Sequence, residues 1–413
     1  MHKISSRILA LLLVLCLLVG NITPALAAEN DGTDVTVSQS QPAPDATEPS
    51  TEPETEPPTE PDPDAPYLER AQALLAAMTQ EEKVYQLFMV RPEGLTGVNT
   101  ATRAGEATQA ALAEMPVGGI VYFAANLETS EQATQMISDT QSYSKLPLFI
   151  GVDEEGGRVA RVSDKLGTTA FDPMASYGAA GDTETVRQVG ATIAQEISSF
   201  GFNVDFAPVA DVVTNPDNTE IGDRSFSSDP AVAAQMVAAM VEGLQQNGVA
   251  SCLKHFPGHG STEADSHKGA SVTERTLDEL RETELLPFSS GIEAGATMVM
   301  VSHMSAPNVT GDETPCDLSP AVVTDLLRGE LGYRGVVITD SHEMGAITEY
   351  YSPGEAAVKA LSAGCDIILM PQDLKQAAQG VLDALADGTL TAGRVDESVL
   401  RILILKLRMG ICE

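Results

Sequence analysis

The run Lys254-His255-Phe256-Pro257-Gly258-His259-Gly260-Ser261-Thr262, followed by Asp265-Ser266-His267, holds three of the chain's 6 histidines. Pro257 and the two glycines bar a regular helix or strand, so the run is expected to be a loop that presents side chains. The apolar residues 249–253 just before it have the composition of a buried strand. Asp265 and His267 stand two apart on this Gly-bearing segment, where a carboxylate can orient an imidazole and raise its basicity. Such a pair transfers protons. Asp340 is the second candidate for chemistry. It follows Gly335-Val336-Val337-Ile338-Thr339, a run suited to a strand buried on both faces. A carboxylate at that exit points into a barrel mouth while its backbone is held; capping of the next helix is the competing reading. Displacement at a sugar carbon needs both parts, an ionised carboxylate on one face and a proton donor on the other.

A metal site is the rival use of His255, His259, His267 and Asp265. Histidines at i and i+4 bind zinc from a helix, and Pro257-Gly258 prevents a helix here. The expectation is therefore no metal and no cofactor, with His259 holding the loop through hydrogen bonds. Cys252, Cys316, Cys365 and Cys412 follow no zinc or disulfide spacing, and Cys252 and Cys365 read as buried thiols.

These residues need a scaffold, and the apolar pattern supplies one. Short apolar runs at 86–90, 119–122, 148–152, 204–208, 249–253, 298–302, 336–339 and 366–369 read as strands. Between them lie amphipathic stretches such as 69–78, 131–144, 183–199, 230–247, 277–294, 320–330 and 353–362. Thr79, Asp229-Pro230 and Ser319-Pro320 supply helix starts. Eight strands with crossover helices, and no dinucleotide fingerprint after the first, predict an α/β fold: a (β/α)8 TIM barrel as a single catalytic domain. An open doubly wound sheet is the alternative. The barrel reading explains why Asp153, Asp211, Lys254-His255, His303 and Asp340 all follow strands while ionisable groups are nearly absent inside the strands.

Residues 1–28 have the pattern of a signal peptide: Lys3 and Arg7, an apolar run from Ile8 to Val19, then Ala25-Leu26-Ala27. No stable membrane span is expected once it is cleaved. Residues 29–66 are rich in Pro, Thr, Glu and Asp, which predicts a disordered tether. Residues 67–413 form the catalytic domain. The net charge of −35 argues against nucleic acid as a partner. A monomer, secreted or held at the cell surface, is expected.

Four motifs together resemble glycoside hydrolase family 3, and within it the β-N-acetylglucosaminidase branch. They are Gly151-Val152-Asp153-Glu154-Glu155-Gly156-Gly157-Arg158-Val159-Ala160-Arg161, Asp223-Arg224-Ser225-Phe226, the 254–267 run, and Ile338-Thr339-Asp340-Ser341. The resemblance implies an exo-acting hydrolase for terminal β-linked N-acetylglucosamine. Asp340 would be the nucleophile of a retaining mechanism, and His267 paired with Asp265 the acid/base. Asp153, Arg161, Arg224, Lys254 and His255 would bind the sugar. A fold-holding salt bridge competes for Arg224, while Glu154 and Glu155 would orient neighbours. Ser261 stands where relatives often carry an acidic residue. His342 adds an imidazole near Asp340, expected to contact an aglycone or face solvent. Residues 341–413 leave no room for a second globular domain after the barrel. A histidine acid/base would tolerate an anionic acceptor, which keeps phosphorolysis to a sugar 1-phosphate as an alternative. A metal-dependent barrel hydrolase and an inactive sugar-binding wall protein are the readings from other classes.

Overall fold

Eight parallel strands close into a barrel in this computed structural model, which describes residues 63–262 and 271–412. They are β1 Phe88–Val90, β2 Gly119–Val121, β3 Phe149–Val152, β4 Val204–Asp205, β5 Ala250–Phe256, β6 Met298–Val301, β7 Val336–Ser341 and β8 Ile367–Leu369. Each strand pairs with its sequence neighbours, and β1 pairs with β8 to complete the ring. Nearly every strand residue is buried, because the barrel interior takes one face and the helical shell the other. That is why the strands appear in sequence as short continuous apolar runs.

The interior is filled by side chains that need small neighbours. A Cβ added to Gly151 of β3 would lie 2.5 Å from Met89 Cε and 3.1 Å from the Phe206 ring. Gly151 therefore makes the space that Met89 and Phe206 occupy. Charged and polar side chains cap the outer helices: Asp182 accepts hydrogen bonds from the Glu184 and Thr185 amides, and Asp229 from those of Ala231 and Val232. Thr79 and Glu82 form a reciprocal capping box. No helix among the described residues is long and apolar enough to cross a membrane.

The amino-terminal end of the barrel carries a buried ionic cluster and a buried lysine. Asp366, just before β8, takes Arg328 at 2.6 Å and Arg401 at 2.9 Å, and accepts the Ser398 hydroxyl at 2.6 Å. This carboxylate ties β8 to the helices Ala321–Glu330 and Ala392–Arg408. Lys406, fully buried, donates to Gln86 Oε1 at 3.0 Å with its ammonium 5.0 Å from the centre of the Phe149 ring.

Four differences from the sequence reading have local causes. The strand predicted at 249–253 runs on through Lys254, His255 and Phe256, where Phe256 pairs with Val301 of β6. Likewise β7 extends to Asp340 and Ser341. The predicted helix at 277–294 is two helices, Leu277–Glu282 and Leu285–Glu293. Pro287 explains this break, since it lacks an amide proton and its ring would clash with the carbonyl four residues earlier. The first helix, Ala65–Ala76, starts inside the segment read as tether, with Pro66 in its first turn.

Candidate active site

The carboxyl ends of the strands surround a cavity of ≈ 430 Å³. That volume suits one small polar ligand. Asp153, Arg161, Arg224, Lys254, His255 and Asp340 all line it, together with Glu155 and His259. Asp265 and His267 lie outside the described residues, so the structure does not bear on them.

Strand ends deliver most of these groups directly. Asp153 follows β3, Lys254 and His255 close β5, and Asp340 is the penultimate residue of β7. After β3 the chain folds into a small antiparallel hairpin, Glu154–Gly156 with Val159–Ala160, absent from the sequence reading. The hairpin turns Glu155 towards the cavity and carries the chain to Arg161. Glu154 points away and accepts from the Val162 and Ser163 amides, capping the short helix Arg161–Leu166. Burial pushes the Glu154 carboxyl up to about 7, against the pull of those amides.

At the floor sits a buried ion network. Lys254 Nζ lies 2.7 Å from Asp153 Oδ1 and 2.6 Å from Glu155 Oε1. Arg224 donates to both oxygens of Glu155, each at 2.8 Å, in the planar fork that guanidinium geometry favours. Burial alone would raise the Glu155 carboxyl, but Lys254 and Arg224 outweigh it and hold it well below the usual range. The reverse holds for Lys254: burial opposes its charge, and Asp153 with Glu155 restores it. Two cations and two anions thus balance. Arg224 is both a fold-holding partner of Glu155 and a lining group of the cavity.

Asp211 organises the next shell. Its carboxylate accepts from the backbone amides of His255 at 3.2 Å and His259 at 2.6 Å, and from His255 Nδ1 at 2.7 Å. A buried carboxylate can only accept here, so His255 carries its proton on Nδ1 and its other face, Nε2, serves the cavity side. His259 hydrogen-bonds Thr262 at 2.9 Å, and its carbonyl accepts from Asn218 at 2.8 Å. The following loop lies tight on the barrel rim: a Cβ at Gly260 would sit 1.9 Å from the Val212 carbonyl oxygen.

Asp340 Oδ1 accepts the Ser341 amide at 2.7 Å, which fixes the carboxylate's pitch. Arg161 Nε is buried with no hydrogen-bond partner among the described residues, so this donor is available to a ligand oxygen. At the rim, Arg91 pairs with Glu343 at 2.7 Å. Val121, Phe123, Met344 and Met370 supply an apolar wall. Fixed charged donors and acceptors beside an apolar wall match a pyranose, with polar hydroxyls at its edge and C–H groups on its faces.

His342 neither faces solvent nor reaches the cavity. It is 3% exposed, and its Nε2 lies 3.0 Å from Asp317 Oδ2. With His303 these residues bring three potential donor atoms within 4.8 Å of one another. His342 Nε2 hydrogen-bonds Asp317 Oδ2, whereas His303 Nδ1, Asp317 Oδ1 and His342 Nδ1 are buried without a hydrogen-bond partner among the described residues.

The chain matches the glycosyl hydrolase family 3 N terminal domain over residues 79–405. It is 37% identical over 321 residues to beta-hexosaminidase A of Pseudoalteromonas piscicida, spanning 71% of this chain and 54% of that protein. Beta-hexosaminidase LpqI of Mycobacterium tuberculosis is 37% identical over 343 residues, spanning 80% of this chain and 84% of its own. The solved structure of a glycoside hydrolase family 3 beta-N-acetylglucosaminidase from Paenibacillus sp. str. FPU-7 superposes with a TM-score of 0.77 at 38% identity. That match covers 81% of this chain and 63% of the Paenibacillus one. The chain therefore spans less than two thirds of two of these three relatives.

Proposed function

The chain belongs to glycosyl hydrolase family 3, and from that premise we propose that it is an exported, retaining β-N-acetylhexosaminidase. It releases terminal β-linked N-acetylglucosamine from cell-wall or chitin-type fragments. One observation carries this reading: Asp340 shares a single cavity with a set of donors and acceptors suited to a sugar, Asp153, Arg161, Arg224, Lys254 and His255. The names of the relatives, hexosaminidase and N-acetylglucosaminidase, support the substrate class.

In this mechanism Lys254, Asp153 and Arg161 fix the ring hydroxyls. An Asp340 oxygen attacks the anomeric carbon while the bond to the leaving oxygen breaks, and His267 gives that oxygen its proton. The product is a glycosyl ester on Asp340. His267, oriented by Asp265, then takes a proton from water as the water attacks the same carbon, freeing the carboxylate. Two inversions give net retention. Residues 1–28 direct export, and residues 29–66 tether the barrel.

The test is hydrolysis of p-nitrophenyl β-N-acetylglucosaminide, followed by proton NMR of the first sugar formed. Expected results are the β anomer, no activity in Asp340→Ala, and no sugar 1-phosphate when phosphate is added. An α anomer as first product, or activity surviving Asp340→Ala, would end this reading.

A further inference from the structure

Below the end of β7 lies a buried chain of three ionisable side chains that the mechanism above does not use. His303 follows β6, Asp317 sits in the turn Cys316–Leu318, and His342 follows β7. All three are buried, Asp317 completely. Asp317 Oδ2 meets His342 Nε2 at 3.0 Å, and Asp317 Oδ1 lies 3.1 Å from His303 Nδ1. The two imidazole rings stand 5.4 Å apart. On its far side His303 Nε2 lies 2.8 Å from the Ser341 carbonyl oxygen. A carbonyl only accepts, so Nε2 donates. The chain thus runs from His342 through Asp317 and His303 to the backbone of the residue next to Asp340.

Charge considerations decide the protonation. An isolated carboxylate without solvent is strongly disfavoured, so Asp317 requires a cationic neighbour. His303 fits, because its Nε2 must carry a proton for Ser341 and its ring lies within ion-pair distance of the Asp317 carboxylate, although Nδ1 and Oδ1 are not aligned as a hydrogen bond. Burial opposes the His303 charge, but Asp317 and Asp340 outweigh it and raise its pKa to about 9. Burial lowers the pKa of His342, which fits a neutral ring donating from Nε2. Among the described residues, the charged or titratable groups acting on this chain, beyond its own three members, are Asp340, Tyr351 and the high-pKa thiols Cys316 and Cys365.

We propose that His303, held by Asp317 and His342, is a positioning residue for Asp340: its imidazolium anchors the Ser341 carbonyl and places a fixed buried positive charge under the strand end that bears the nucleophile. This rests on the reading of Asp340 as nucleophile. Its consequence falls mainly on the second half of the reaction. A nearby cation stabilises the Asp340 carboxylate as it leaves the glycosyl ester, so it speeds deglycosylation. The same charge keeps Asp340 ionised at lower pH.

The experiment compares wild type with Asp317→Asn and with His303→Gln, which retains an N–H for the Ser341 carbonyl but removes the charge. The substrate is 2,4-dinitrophenyl β-N-acetylglucosaminide, whose good leaving group makes deglycosylation limiting. Expected is a fall of about tenfold in kcat with KM falling alongside, so that kcat/KM at neutral pH is nearly kept. The acid limb of kcat/KM moves up by about one pH unit in either variant. A purely structural role would change neither ratio nor limb in this way. If one variant fails to fold, the other gives the same two readouts. Unchanged limbs and a kcat loss with constant KM would overturn the proposal. So would one equivalent of zinc bound to wild type and lost, with activity, to a chelator. Azide added to Asp340→Gly tests the underlying reading separately: no azide-dependent turnover there ends the nucleophile assignment, whereas rescue with silent Asp317 and His303 variants ends the positioning role alone.

Discussion

Glu155→Gln is the substitution that most directly tests the cavity floor. The carboxylate is 2% exposed and holds Lys254 at 2.6 Å and Arg224 through two bonds of 2.8 Å. Glutamine keeps the shape, but its single amide oxygen serves only one cation and its NH2 group faces the other. The network of Asp153, Glu155, Lys254 and Arg224 changes from neutral to one uncompensated positive charge. Removing one partner of a buried ion pair typically costs about 3–5 kcal/mol. Asp153 still pairs with Lys254, so the lower figure of about 3 kcal/mol is expected. That is survivable for a domain with ordinary stability of about 5–15 kcal/mol. Displaced Lys254 and Arg224 would also lower kcat/KM by about 100-fold, the scale of a small misplacement of binding groups. Urea unfolding and p-nitrophenyl glycoside kinetics read the two effects. The sign with pH adds a control. The Glu155 carboxyl is held below its unfolded value, so its contribution is present above the unfolded pKa and lost as pH falls towards the folded one. The stability gap between wild type and Glu155→Gln should therefore narrow below about pH 4. A variant with wild-type kcat/KM and an unchanged urea midpoint would refute the claim that this network positions the binding cations.

Two further substitutions probe the opposite end of the barrel, away from the cavity. Burial depresses the Lys406 ammonium to about 7, so the unfolded chain binds a proton there between about pH 7 and 10 that the folded chain does not. Lys406→Met should raise the urea midpoint at pH 6, and the gain should fade as pH rises through that window; a constant difference across it would count against a titrating Lys406. Asp366→Asn breaks the cluster with Arg328 and Arg401, and should cost about 3–5 kcal/mol in urea unfolding while leaving kcat within about twofold. A large kcat loss without destabilisation would mean that this end communicates with the site.

How much of this was legible beforehand follows from where each signal lives. The barrel was, because strands buried on both faces give apolar runs, and Thr79 and Asp229 mark helix starts in the sequence itself. The hairpin after β3 was not: Asp153-Glu154-Glu155 reads as a charged loop until Lys254 and Arg224 neutralise Glu155. Residues just past the apolar runs were assigned to loops, yet Lys254, His255 and Asp340 are held in strands. That placement gives them a rigid backbone. The candidate residues delivered by strand ends were accessible from position and from family resemblance, and the structure brings Asp153, Lys254, His255 and Asp340 to one cavity.

The groups that hold the site residues in place share a physical property. Asp211, Asp317 and Glu155 are buried carboxylates whose partners lie far along the chain: His255 for Asp211, His342 for Asp317, Lys254 and Arg224 for Glu155. In sequence a buried acid and a solvated one are the same letter, and only the partner tells them apart. His342 shows the cost of local reasoning: beside the candidate nucleophile it suggested contact with substrate or solvent, whereas Asp317 draws it into the interior. The two layers make different demands. A side chain that binds a hydroxyl must sit at a strand end, which a strand pattern reveals. One that orients such a side chain needs only to be buried within reach of it, and any element of the fold can supply it.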